Sequence, residues 1–361
     1  MKNQMKEKGN ISCVKKTIII IVSVIFAIAA IFVYERNFSG RRKSNDFQWD
    51  VYSIKGEPWW ESPDCVKIAD EITECQKPDG GWTKDIHNTV PGPWDNSTID
   101  NYATWGQIRF LAKCYCATGN TVFRESCRRG IDFLLGMQYE NGGWPQIVGT
   151  TDYHAHITFN DNAMTGVMET LKLVSERSEK DGFSWVDDDL ARQSAEAFDR
   201  GLKCILRCQI KVDEKLTAWC QQYDEVTLEP TRGRTFEPPS ICTKESVGIV
   251  LLLKSIRDPS PEVENSIRAA EEWFDKVKIE GCRFEWAGGD RKVVKGDPDD
   301  LLWARFYRLD GLTPLFSDRD GKIYDDVSEI SKERRTGYDW YGTWPLQLHL
   351  YKSEDDYYNK Q

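Results

Sequence analysis

Four arginine-bearing segments in the second half of this chain have the composition of a site for carboxylate-bearing sugars. Arg232-Gly233-Arg234-Thr235-Phe236-Glu237-Pro238-Pro239 cannot continue a helix through its prolines, so it is a loop holding two arginines. Trp303-Ala304-Arg305-Phe306-Tyr307 follows, then Asp318-Arg319-Asp320-Gly321, a turn by its Asp-Gly step, then Glu333-Arg334-Arg335-Thr336-Gly337-Tyr338-Asp339-Trp340-Tyr341-Gly342. A guanidinium fork binds carboxylate through paired hydrogen bonds, and aromatic faces stack on sugar rings. Taken singly, each arginine reads as a surface or ion-pair residue. The reading as a site rests on several of them falling in loops near carboxylates.

Those carboxylates come from a repeat. Gln76-Lys77-Pro78-Asp79-Gly80-Gly81-Trp82 recurs as Gln138-Tyr139-Glu140-Asn141-Gly142-Gly143-Trp144, and more loosely from Gln209 to Trp219. Each is a turn that closes a helix; in the two Gly-Gly-Trp elements Gly is the helix stop and Trp a packing plug. Asp100-Asn101-Tyr102-Ala103, Asp161-Asn162-Ala163 and Glu245-Ser246-Val247-Gly248 each open an apolar stretch after one of these turns, so three acidic residues sit at three equivalent helix starts. Apolar positions follow at helical intervals: Ile108, Leu111 and Ala112; Met164, Val167, Met168 and Leu171; Val247, Val250, Leu251 and Leu253. One such hairpin cannot bury its own apolar face, so the expected fold is an all-α solenoid of hairpins bent into a ring, with the inner-helix starts converging on one mouth.

Thr17 to Tyr34 is an uncharged run of 18 residues, near the lower length limit for a spanning helix. No small-residue cleavage site follows it, which favours a retained single-pass anchor over a removed signal peptide. The expected organisation is a cytoplasmic tail over 1–16, the anchor over 17–34, a stalk over 35–58 and one extracytoplasmic domain over 59–361. The net charge of −10 argues against nucleic acid as a partner, and the protein is expected to be a monomer. Eleven cysteines show no zinc spacing; disulfides are possible outside the membrane, and no connectivity can be read.

Five motifs resemble polysaccharide lyase family 10, the pectate lyases: Ile157-Thr158-Phe159-Asn160-Asp161-Asn162-Ala163-Met164, Trp219-Cys220-Gln221-Gln222-Tyr223-Asp224, Arg234-Thr235-Phe236-Glu237-Pro238-Pro239, Trp303-Ala304-Arg305-Phe306-Tyr307 and Arg334-Arg335-Thr336-Gly337-Tyr338. The resemblance runs from about Asp70 to Leu350, and Arg291 to Leu302 carries no motif. It implies an (α/α)3 toroid and calcium-assisted anti-β-elimination of polygalacturonate with an arginine base. By similarity the base is Arg234, Arg305 and Arg319 contact substrate, Asp161 binds calcium, and an Asp-Asn pair faces it across the site, Asp100 as a catalytic and metal-binding residue and Asn101 as a contact on the cofactor side. Asp224 and Tyr338 are further expected contacts on the cofactor side.

The chemistry needs such groups. The C5 proton of a galacturonate lies α to a carboxylate, and its removal places a second negative charge there, which cations must meet. Crowding of Arg234 by calcium, Arg305 and Arg319 is expected to push its pKa down and give an alkaline optimum. Two other classes are open: a non-catalytic membrane-held pectin-binding protein, and a toroidal terpene cyclase, whose acidic signature Asp297-Pro298-Asp299-Asp300 would fit. His154-x-His156 resembles a metal pair, though alternating spacing in a short loop is more often incidental.

Overall fold

Three successive helical hairpins carry the structure, and a shared turn chemistry sets how each one ends. The computed structural model describes residues 47–85 and 95–350. The apolar run expected to be an anchor and the tail before it lie outside the described residues; among the described residues no helix is long and apolar enough to cross a membrane. Short helices α1 (Trp49–Ser53) and α2 (Glu57–Trp60) lead into α3 (Pro63–Glu74). The hairpins are α4 (Trp105–Thr118) with α5 (Thr121–Gly136), α6 (Ala163–Ser175) with α7 (Asp188–Cys208), and α8 (Thr243–Lys254) with α9 (Pro261–Val277). α6 packs on α4 and α8, and α7 packs on α5 and α9, so the first helix of each pair forms an inner row and the second an outer row. The apolar positions read from the sequence are buried in the inner row, except Leu251, which is half-buried.

The two rows begin differently. Outer helices have ordinary caps: Asn120, Asp187 and Ser260 accept bonds from the backbone N–H of Val122, Leu190 and Val263. The inner helices have no side-chain cap, and two of them start from residues at positive φ. Conventional capping is thus given up where the acidic residues were expected.

The repeated turn does two jobs. Trp82, Trp144 and Trp219 each donate an indole N–H to a carbonyl in the last turns of the outer-row helix just completed, Ile72, Leu134 and Ile205, at 2.7–2.8 Å. Gln76, Gln138 and Gln209 each donate to their own turn and to the next outer helix, at Ser126, Ala197 and Ser266. Gly80 and Gly142 have φ of +97° and +94°, and an added Cβ would run into the backbone of Arg129 or Arg200. Trp303 repeats the device after α9 by donating to Phe274 O at 2.8 Å.

Two expectations are corrected. The chain is helix-rich but not all-α. β1 (Ile157–Thr158) pairs with β2 (Gln222–Tyr223), and β3 (Ile241–Cys242) pairs with β7 (Phe306–Tyr307). β4 (Cys282–Ala287) and β5 (Asp290–Lys295) make a hairpin, and β6 (Leu301–Ala304) joins Ile279–Glu280 to Tyr341–Gly342. The stretch from Arg291 that carried no motif takes in the second strand of this hairpin and the turn that leads into β6. Residues 47–58, expected in the stalk, instead pack on α4: Phe47 and Tyr52 join Trp59 and Trp60 of the domain around Phe110 at ring separations of 5.0–6.1 Å. Burying that aromatic area outweighs the cost of ordering a short segment.

Gln138→Ala removes the two bonds its amide N–H groups donate, leaving Gly142 O and Ala197 O with one partner fewer, and the two its oxygen accepts from Arg200. It is expected to lower unfolding free energy by about 1–3 kcal/mol, with its m-value unchanged, in urea denaturation followed by circular dichroism.

Candidate active site

The inner-helix starts bring the expected residues to one mouth through strained backbone. Asn101, Tyr102 and Thr104 have φ of 46°, 68° and 63°, and Asp161 and Asn162 have 49° and 61°. Thr104 is the centre of a γ-turn closed by Trp105 N donating to Ala103 O at 2.8 Å, and its hydroxyl ties the turn to Trp82 N and Thr98 O. Five non-glycine residues in the left-handed region, grouped at two equivalent sites, are strain that the surrounding packing must hold.

The three acids differ in partner. Asp100 is buried; its Oδ2 accepts from Lys84 Nζ at 2.6 Å, while Oδ1 has no hydrogen-bond partner among the described residues. Burial pushes its carboxyl above the ordinary range, Lys84 opposes this, and the charge of Asp161 adds to it. Asp161 Oδ1 accepts from Lys244 Nζ at 2.8 Å. Lys244 holds Asp161 well below the ordinary range against the effect of burial, helped by Arg305. Glu245, the third acid, accepts from Arg305 Nη2 at 2.7 Å and from Cys242 Sγ at 2.6 Å, so it is taken up in fixing an arginine.

The arginines gather around two rings. The Arg305 guanidinium lies 4.5 Å from the Tyr338 ring centroid, and those of Arg234, Arg319 and Arg334 lie 4.8, 5.7 and 4.4 Å from that of Phe236. β3 and β7 carry Arg305 to this point, since the chain bulges between β6 and β7 at that residue. Arg305 is buried, and its Nε has no partner among the described residues. Arg319 donates twice to Glu333 at 3.0 Å, and Arg334 shares the same carboxylate. Arg234 donates Nε and Nη2 to Glu237 at 2.9 and 2.5 Å, and Tyr338 donates its hydroxyl to Glu237 at 2.8 Å. Tyr153, Arg232, Gly233, Arg234, Phe236 and Arg319 line a cleft of about 390 Å³.

The protein groups by themselves do not lower the pKa of Arg234 as expected. Burial does oppose its charge, but the bonds and charge of Glu237 outweigh it and hold the guanidinium above the ordinary arginine value. The expected crowding by Arg305 and Arg319 is outweighed, and each of these is itself paired, with Glu245 and with Glu333.

Other residues separate from the cluster. Asp224 Oδ1 accepts from Val226 N, Thr227 N and Thr227 Oγ1, closing its own turn. With His156 and Glu225 it brings three ligand atoms close enough to hold a metal ion. His154 pairs with Asp152 and His156 with Glu225, so the two histidines do not act as a pair. The Asp297 to Asp300 signature is a turn, with Asp297 N donating to Asp300 Oδ2 at 2.7 Å and Arg283 pairing with Asp300. Sequence reasoning missed Lys84 and Lys244 as site residues, and quoted Glu237 and Glu333 only as letters in motifs.

A hard cation with six to eight oxygen ligands fits the mouth in part. The two carboxylates of Asp100 and Asp161 sense each other's charge, and the buried, partnerless Oδ1 of Asp100 is a ligand atom without an occupant among the protein groups. The remaining oxygens would have to come from water and ligand.

Glu245→Ala leaves Arg305 buried without its carboxylate. It is expected to cost about 3–5 kcal/mol, the scale for breaking a buried pair, read as a lowered midpoint in thermal unfolding, whereas Arg305→Met with Glu245→Leu should recover most of that loss.

The sequence matches the family model described as pectic acid lyase over residues 76–349. Among solved structures the chain is similar to a mutant of the family 10 polysaccharide lyase from Cellvibrio cellulosa in complex with trigalacturonic acid, at 31% identity and a TM-score of 0.73, covering 78% of this chain and 90% of that one. A second structure of the family 10 lyase from Cellvibrio cellulosa matches at 31% identity and a TM-score of 0.72, with the same coverage.

Proposed function

The chain belongs to the pectic acid lyase family and is a polysaccharide lyase; from that premise we propose that it cleaves α-1,4-polygalacturonate by anti-β-elimination, with Arg234 as the base, on a toroidal (α/α)3 scaffold. The observation that carries this reading is the set of guanidinium groups around Phe236 and Tyr338, beside a cleft and on the same mouth as Asp100 and Asp161. The similar lyase solved with trigalacturonic acid supports galacturonate as the substrate class.

In the proposed reaction Arg234 in its neutral form takes the C5 proton. The C–H electron pair becomes the C4–C5 double bond, the C4–O bond breaks, and the leaving oxygen takes a proton from water. The products are an oligogalacturonate and a 4,5-unsaturated end. Arg305 and Arg319 meet the carboxylate charge that grows during proton removal, a role suited to preorganised donors in a partly desolvated site. Asp161 and Asp100 are the residues that would hold calcium, which when bound neutralises uronate carboxylate and makes the neighbouring C5 proton more acidic. Asn101, between them in the strained loop, shapes the same edge of the site. We place the catalytic domain outside the cell because the polymer is there, with the apolar run from Thr17 to Tyr34 as its tether or leader.

The test is ultraviolet absorbance of unsaturated uronate released from polygalacturonate. Arg234→Ala and Arg234→Lys are expected to lower turnover by roughly 10²–10⁴-fold, as for loss of a general base, while trigalacturonate binding by calorimetry stays within a few-fold. Asp161→Ala should steepen the calcium requirement, and chelator should stop the intact enzyme. Turnover indifferent to chelator removes the calcium role, and near-normal turnover in Arg234→Ala removes the base.

A further inference from the structure

Neutral guanidine carries one basic in-plane lone pair, on its imine nitrogen, and a base built from it works only if that pair is on the nitrogen facing the substrate. Three nitrogens compete for it. Around Arg234 two of the three are committed: Nε and Nη2 donate to Oε2 and Oε1 of Glu237 at 2.9 and 2.5 Å. A lone pair at either position would point at a carboxylate oxygen and be repelled. Nη1 has no hydrogen-bond partner among the described residues, and Arg234 forms part of the wall of the 390 Å³ cleft.

Glu237 is itself held so that it cannot turn to serve Nη1. It is buried, and besides the two guanidinium bonds it accepts from Arg234 N at 3.0 Å and from Tyr338 Oη at 2.8 Å. The loop closes around it: Gly233 N donates to Glu237 O at 3.0 Å, and a Cβ at Gly233 would sit 2.8 Å from Glu237 Oε2. We propose that Glu237 is the positioning residue of the elimination, which fixes the neutral tautomer of Arg234 with its lone pair on Nη1, and that Tyr338 keeps Glu237 in place. This rests on Arg234 being the base. In the step, C5–H gives its proton to Nη1, the guanidinium regains its charge, and both bonds to Glu237 persist from start to finish.

The logic parallels the aspartate of a serine-protease triad, where the amide replacement leaves the geometry intact but stabilises the wrong tautomer. Glu237→Gln puts an NH₂ against the guanidine. That NH₂ needs an acceptor and draws the lone pair to Nε or Nη2. It also removes the anion that holds the guanidinium above its ordinary value, leaving Asp161 as the remaining carboxylate that raises it, with Arg319 opposing.

The experiment is a pH–rate profile of the full-length protein and of Glu237→Gln, Glu237→Asp and Tyr338→Phe, with trigalacturonate affinity and thermal unfolding as controls. For Glu237→Gln, kcat is expected to fall by about 10²–10⁴-fold, KM to stay within a few-fold, and the alkaline limb to move to lower pH without restoring the plateau. Glu237→Asp should recover part of kcat. Tyr338→Phe, which removes one bond from the carboxylate, should move the limb to higher pH and reports on the same dyad if Glu237→Gln does not fold. A folded Glu237→Gln enzyme with near-normal kcat or an unmoved limb overturns the proposal, provided Arg234→Ala is inactive. If Arg234→Ala is active, the base assignment fails first and this inference falls with it.

Discussion

The indole N–H to carbonyl bond at the end of each outer-row helix is the constraint on which the arrangement depends. A helix ends with carbonyls that need partners, and here one is taken by a tryptophan that the chain brings back after a short turn. That return fixes where the chain next crosses the mouth. Gln76, Gln138 and Gln209 then fasten each turn to the following outer helix, so spacing between hairpins is set by side-chain amides as well as by apolar packing. Asp100 and Asp161 come to one place because each lies at a matched position downstream of such a turn.

The mouth itself is a set of paired charges in near balance, with Asp100, Glu237, Glu245, Arg305 and Arg334 buried and the others partly exposed. Asp100 is matched by Lys84, Asp161 by Lys244, Glu245 by Arg305 and Glu237 by Arg234, while Glu333 is shared by Arg319 and Arg334. Pairs of this kind contribute little to stability because desolvation offsets the attraction, yet breaking one is costly. Their effect is geometric: each carboxylate holds a cation at a defined point. The strained residues beside Asp100 and Asp161 are tolerated for the same reason, since both aspartates are anchored by lysines from elsewhere in the chain.

How much of this was legible in the sequence follows from the range of each signal. The first two turns were readable because Gln, Gly and Trp recur in a recognisable run, the third only through Gln209 and Trp219 because it has no glycine, and the fourth at Trp303 was hidden by the hairpin from Cys282 to Lys295 inserted before it. Strands of two residues are too short to display a period of two, which is why the mouth ladders were missed. The aromatics at 47–60 look scattered until Phe110 is supplied as their common partner. Arg234, Arg305, Asp100 and Asp161 stood out through motif and helix position. Lys84 and Lys244 did not, because their partners lie 16 and 83 residues away. Glu237 was in plain view three residues after Arg234, but its hold on two guanidinium nitrogens is a matter of loop geometry that no spacing rule states.

On the proposed reading, the balance of charge also explains how a protein of net charge −10 can bind a polyanion without binding it too tightly. Long-range attraction is absent, so recognition depends on groups within about one Debye length, near 8 Å in physiological salt. Most of those cations already have a carboxylate, and substrate must share rather than capture them. The arrangement leaves two openings: Arg319 and Arg334 share one carboxylate, and Arg305 Nε lacks a partner among the described residues. A ground-state carboxylate finds little unspent charge there, whereas the doubly charged group formed on loss of the C5 proton gains more from the same donors. Such differential binding is the condition for raising kcat rather than only tightening the complex. A mouth of shared and half-satisfied arginines meets it better than one of unpaired arginines would.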